Sequence, residues 1–157
     1  MLVPEIVEFD NARHREQVIG LWDLVFGYGA AHNAPALVID TKLAVADRLF
    51  FVAMDGHKVL GAVMAGYDGH RGWIYSLAVH PEHRKRGIGT QLLAFAEQRL
   101  SVRGCFKINL QIIEENEEVQ GFYESNGYSV ERRTSMGKRL SGSLPPSWPS
   151  ESGTSPA

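Results

Sequence analysis

The chain of 157 residues contains a single cysteine, Cys105. An internal disulfide and a multi-cysteine metal centre are thereby excluded, and the usage fits a reducing compartment. Long apolar runs are missing too: no stretch approaches the roughly 20 residues needed to cross a bilayer. The first residues, Met1-Leu2-Val3-Pro4-Glu5, lack the basic start and apolar run of a signal peptide. The expectation is a soluble cytoplasmic protein with no membrane partner. Neither sign of charge dominates, with 16 Lys and Arg against 18 Asp and Glu. That balance argues against a wholly basic surface, and no nucleic-acid partner is expected. Only His80 and His83 of the six histidines are close in sequence, without an evident third ligand, so no metal is expected.

What is there is enough apolar sequence for one buried core, and residues 1–140 read as one domain. Between Ser141 and Ala157, twelve of seventeen residues are Ser, Pro or Gly, with Leu144 and Trp148 the large apolar exceptions. That composition predicts a flexible tail over residues 141–157. Within the domain, Glu5 to Phe9 reads as a strand, and Asp10 or Asn11 as the cap of a helix carrying Val18, Leu21, Trp22, Val25 and Phe26. A helical piece is placed around Thr41 to Arg48. Leu49 to Met54 and Val59 to Tyr67 form a hairpin around Asp55-Gly56. After a turn at Gly69 to Gly72 come the strand Trp73 to Val79, a helix from about Gly87 to Arg103, and a strand Phe106 to Ile113. A short helix, Glu117 to Asn126, and a last strand, Tyr128 to Arg133, complete the chain.

Strand, helix, strand between Trp73 and Ile113 is a crossover, so those two strands should be parallel and the connection right-handed. The earlier strands are hairpin-linked. The predicted fold is α/β, with a mixed, mostly antiparallel central sheet and one βαβ crossover.

The crossover carries the segment His83-Arg84-Lys85-Arg86-Gly87-Ile88-Gly89-Thr90. A basic, glycine-marked turn thus leads into the first turn of a helix, where backbone N–H groups are unpaired and the macrodipole is positive. The start offers no Ser, Asp or Asn cap, so an external anion, above all a phosphate, is the natural occupant. No Gly-Lys-Ser/Thr follows, which excludes a Walker loop. Leu92 stands where a dinucleotide fingerprint needs its third glycine.

Arg84-x-x-Gly87-x-Gly89 resembles the Arg/Gln-x-x-Gly-x-Gly/Ala signature of the GCN5-related N-acetyltransferase (GNAT) family. Asn116 and the segment Phe122-Tyr123…Gly127-Tyr128 follow at the spacing of that family. The resemblance implies acetyl-coenzyme A as co-substrate. Its diphosphate would rest on the turn formed by Arg84, Lys85, Arg86, Gly87, Ile88, Gly89 and Thr90. Its pantetheine arm would run along Leu77, Ala78 and Val79, with Asn116 as a further contact. It also implies direct attack by an amine, with Tyr123 protonating the leaving thiolate.

On the residues alone, Asn116 is equally an N-cap and Tyr123 a half-buried core tyrosine. Some relatives have a glutamate base where Gln111 stands here, and an amide cannot accept that proton. Tyr75, through a water, and Glu114 or Glu115 are the open alternatives. Cys105 reads as a small, partly buried residue rather than a nucleophile. The acceptor, a small-molecule or protein amine, should be received by the first helix, the segment Ala30 to Arg48 and the loop Asp68 to Gly72. His32, Asp40 and His70 lie there without a recognisable code. A non-catalytic acyl-coenzyme A-binding module of the same fold is the alternative. Monomer and homodimer both remain open.

Overall fold

The computed structural model describes residues 3–27, 33–138 and 140. The chain divides into two compact units, Met1–Leu110 and Gln111–Ala157. His32 and the whole tail from Ser141, with Leu144 and Trp148, lie outside the described residues.

The first unit is a five-stranded sheet in the order β1-β2-β3-β4-β5. Its strands are β1 (Glu5–Glu8), β2 (Phe50–Asp55), β3 (Lys58–Tyr67), β4 (Gly72–Val79) and β5 (Ile108–Asn109). The first four pair antiparallel, and β5 is parallel to β4, as the crossover requires. The hairpin turns where predicted, with Gly56 at φ 59° and Asp55 opposite Lys58.

Helices α1 (Asn11–Phe26) and α2 (Asn33–Val45) cover one face of the sheet. Val18, Leu21 and Trp22 of α1 and Ile39 of α2 pack against Phe50, Val52, Met54, Ala62, Met64 and Ala78. Helix α3 (Ile88–Ser101) covers the other face, burying Ile88, Leu92, Leu93, Ala96 and Leu100. Its Phe95 meets Phe51 edge-on at 5.0 Å. Burying aromatic and aliphatic groups of this size on both faces is the main stabilising term of the unit.

Several expectations need correction. Helix α2 begins at Asn33, not near Thr41, and ends at Val45. Pro35 lies in its first turn, where the missing N–H costs no hydrogen bond. Phe26, expected on the apolar stripe of α1, is 42% exposed. The strand expected over Phe106 to Ile113 pairs only at Ile108–Asn109, and Phe106 is 93% exposed. Among the described residues, the neighbour of this segment is β4, which it meets at those two positions alone. In the second unit, Tyr128 to Arg133 is not a strand, and Val130 is exposed. Among its described residues, that unit carries one helix, α4 (Glu117–Ser125).

Candidate active site

Strand β4 is irregular in the middle. Ala62 faces Ala78 but Met64 faces Tyr75, so β4 spends three steps where β3 spends two. The extra residue is a β-bulge, and Ser76 within it holds φ 49°, a left-handed conformation rare outside glycine. On its other edge β4 pairs β5 only at Gly72 and Trp73. From Ile74 to Val79 that edge pairs with no strand among the described residues. Gly61 brings β3 close beneath: a Cβ there would lie 2.9 Å from the Ala78 carbonyl oxygen and 2.9 Å from Leu92 Cδ1.

After Val79 the chain makes a 3-10 turn, Pro81–His83, and enters the basic segment. Arg84, Lys85, Arg86 and Gly87 are all exposed, and the Arg84 Nε donates back to the Val79 carbonyl at 3.3 Å. The turn is therefore fastened to the end of β4. Lys85 and Gly87 both have positive φ, 62° and 79°. Gly87 is the N-cap of α3 and no side chain caps that end. Ile88 is buried and anchors the helix start, Gly89 is half-buried and Thr90 exposed. The helix start thus has no side-chain cap and three exposed cations directly before it.

His83 stands beside this turn. Burial, then Lys58 and Arg86, lower its pKa, and the Arg86 guanidinium approaches its Nδ1 at 3.4 Å. Donor atoms of His80, Glu82 and His83 lie within 4.8 Å of one another, so Glu82 is the third group that sequence spacing passed over. The flanking Arg86 and Lys58 oppose a cation there.

In the second unit, the Asn116 Oδ1 accepts the Val119 N–H at 3.2 Å, with Glu117 and Glu118 in the first turn of α4. The capping role is thus met. Tyr123 is buried, with Phe122 at 5.1 Å and Tyr128 at 5.6 Å between ring centroids. Burial raises its phenol to about 12. Gln111 donates to the Ser135 hydroxyl at 2.7 Å, and Glu114 and Glu115 are exposed. At Gly121 an added Cβ would meet nothing within 4 Å.

Of the segments assigned to the acceptor, Asp40 pairs with Arg15 at 2.7 Å and so ties α1 to α2. Asp68 organises its own loop, accepting the N–H groups of His70 and Arg71 and the Trp73 indole. Cys105 is partly buried and donates to the Lys107 carbonyl at 3.3 Å. No helix among the described residues is long and apolar enough to cross a membrane.

Comparison with known proteins decides the family. The Acetyltransferase (GNAT) family pattern matches residues 14–128, which include the turn, α3 and α4. This chain belongs to the GNAT acetyltransferase family. A Yersinia pestis protein named acetyltransferase is 41% identical over 128 residues, covering 80% of this chain and 88% of that protein. Among solved structures, the aminoglycoside N-acetyltransferase AAC(6')-Iy in complex with CoA superposes with a TM-score of 0.74 at 22% identity, covering 87% of this chain and 95% of that one. The PaiA N-acetyltransferase of Thermoplasma acidophilum, in complex with coenzyme A, gives 0.73 at 18% identity, covering 85% and 94%. At those identities the two structures establish the GNAT fold alone.

Proposed function

We propose that this protein transfers the acetyl group of acetyl-coenzyme A to a primary amine by direct attack. The observation that carries the reading is the uncapped start of α3, with its exposed Arg84, Lys85 and Arg86, after a β4 whose outer edge pairs with no strand beyond Trp73 among the described residues. The cofactor's diphosphate takes the amides of Ile88, Gly89 and Thr90 and the cations before them. The pantetheine arm takes the open main chain of Leu77, Ala78 and Val79, and Asn116 adds a contact. Amides of that strand then polarise the thioester carbonyl as charge develops on its oxygen. The coenzyme A complexes of the two fold neighbours support the choice of cofactor, and AAC(6')-Iy bound to a bisubstrate analogue of CoA and monomethyl-acetylneamine supports a small amine acceptor.

Tyr123 assists departure of the sulfur. A thiol of pKa roughly 8.5, by analogy with cysteine, is a far stronger acid than a phenol at about 12. Full proton transfer from Tyr123 to the thiolate would run uphill by about 5 kcal/mol. The phenol therefore acts by donating a hydrogen bond to the developing thiolate, with solvent completing protonation. No general base is assigned: Gln111 is an amide engaged with Ser135.

Two measurements on the purified chain test the reading. Acetyl-coenzyme A at 100 times its dissociation constant should stabilise the fold by roughly 2.7 kcal/mol. Coenzyme A thiol should then be released over a panel of small amines and peptides. Absence of any thermal shift with millimolar cofactor refutes the site; a shift without thiol release on any amine refutes the transfer and leaves a binding module.

A further inference from the structure

The thioester carbonyl proposed at Leu77 to Val79 requires the amine to arrive within about 3–3.5 Å of the reacting carbon. The residues just upstream on the same strand are therefore the first the acceptor meets. Two of them are aromatic and share a face: Trp73 is paired with Gly66 and Tyr75 with Met64, and Met64 belongs to the core under α1 and α2. Tyr75 is 41% exposed, the indole of Trp73 is half-buried, and the two positions lie roughly 7 Å apart along the strand.

The floor between them is Gly66. Tyr75 leans over it, its Cε2 lying 3.4 Å from where a Cβ on Gly66 would stand. A side chain at Gly66 would press on the Tyr75 ring. At the outer end, the Asp68 Oδ2 accepts the Trp73 indole N–H at 3.3 Å, which fixes the indole and puts a carboxylate at its rim. Hydrogen bonds from the Arg71 and His70 amides, then the Trp73 indole, hold Asp68 below the usual carboxylate range, so it stays ionised. Burial, then Asp68, then Asp47 push the Tyr75 phenol up. Lys42 pairs with Asp47 at 2.7 Å, and Arg71, His70 and Lys107 stand in or beside this part of the fold. A ring pair with an anionic rim is the arrangement that favours a cation over its faces.

We propose that Trp73, Tyr75 and Asp68, with Gly66 as floor, form the acceptor subsite and select an amine borne on a short alkyl arm that carries positive charge. This assignment rests on the acetyl-transfer reading and specifies its substrate class. It was absent from the sequence, where the simple alternation of β4 would align Tyr75 with Leu77; the bulge at Ser76 instead puts Tyr75 on the face of Ala78.

The test reads binding separately from turnover. In the full chain loaded with coenzyme A, the indole N–H resonance of Trp73, identified by its loss in Trp73→Phe, is followed while cadaverine is added, with pentanol as the uncharged control. The expected result is a saturable shift with cadaverine and little or none with pentanol. In Tyr75→Leu and in Asp68→Asn the midpoint should weaken about tenfold, the equivalent of losing one partly desolvated cation–π or charge contact. The thermal shift produced by acetyl-coenzyme A should be the same in both variants as in the parent. With an acetylatable diamine, Tyr75→Leu should raise KM by about the same factor and lower kcat less. An unmoved Trp73 resonance, or one moved equally by pentanol, overturns the subsite even if amines are acetylated. If the shift is seen but no amine is acetylated, the transfer reading falls and the cation-binding site stands.

Discussion

His14 Nδ1 accepts the backbone N–H of Asp10 at 2.9 Å, while the Asp10 carboxylate accepts the N–H of Arg13 at 3.0 Å. The two residues close the start of α1 reciprocally, in the manner of a capping box with an imidazole in place of the usual Glu or Gln. His14 is 2% exposed, and burial, then Arg13, lower its pKa from 6.5, with Asp10 acting weakly the other way. The unfolded chain therefore binds more protons near pH 6 than the folded one. Stability from this residue is complete above pH 6.5 and declines as the pH falls through the lower folded value. His14→Asn keeps an acceptor for the Asp10 N–H but does not titrate. Urea midpoints measured from pH 7.5 to 5 should show a shallower decline in this variant than in the parent, over and above its loss of ring burial. Parallel curves would remove His14 from the acid response.

Gly61 lets β3 approach both α3 and the Ala78 carbonyl of β4 closely. Gly61→Ala would place a methyl 2.9 Å from the Ala78 carbonyl oxygen and from Leu92 Cδ1. Leucine can rotate, whereas a backbone oxygen moves only with its strand. The expected cost is about 1–3 kcal/mol, read as a lower urea midpoint at unchanged slope. Because Ala78 lies on the proposed pantetheine strand, acetyl-coenzyme A should also bind more weakly.

Gly87 poses a different question, since an added Cβ there meets nothing within 4 Å while φ is 79°. Gly87→Ala isolates the backbone cost of a left-handed residue, about 1–2 kcal/mol. If the helix start grips the diphosphate, the variant should lose cofactor affinity by up to about tenfold as the turn relaxes. Unchanged affinity would mean that the cations alone hold the phosphates.

Gly121 is the counterpart inside α4, where open space and ordinary φ make alanine acceptable to the fold. Gly121→Ala should stabilise the chain by about 1 kcal/mol through helix propensity. A gain in stability accompanied by loss of acetyl-coenzyme A affinity would mark a close approach of the cofactor. A gain without that loss would make the glycine incidental.

Local signals accounted for much of what the chain displayed before folding. Asp10 as a cap, Asp55-Gly56 as a turn, Gly87 ahead of an amphipathic run and Asn116 before two glutamates each act through neighbours a few residues away. The errors arose where the outcome depends on what lies across the sheet. The alternation at Phe106 to Ile113 and at Tyr128 to Arg133 reads as strand, but a strand needs a partner along its length, and of the first segment only Ile108 and Asn109 pair with β4. Helix α2 is apolar on most sides, so no stripe marked its beginning, and Pro35 obscured it further. The bulge on β4 had no signal at all, because Ser76 adopts its positive φ without a glycine to announce it. That one residue sets which side chains share a face with Tyr75.

Tyr123 gives the most direct check on the chemistry. With its phenol at about 12, the group stays protonated through the whole range in which amines lose their protons. The rate should therefore rise with pH as the acceptor deprotonates and should not fall again below about pH 11, because no donor is lost before then. Tyr123→Phe should lower kcat by about 10²-fold, as expected for loss of one hydrogen-bond donor to developing charge. Cofactor-induced thermal stabilisation should remain, since the amides proposed to hold the diphosphate are untouched. A limb falling between pH 9 and 10 in the parent, retained in Tyr123→Phe, would assign the proton donor to another residue, and equal kcat in the two proteins would take Tyr123 out of the reaction.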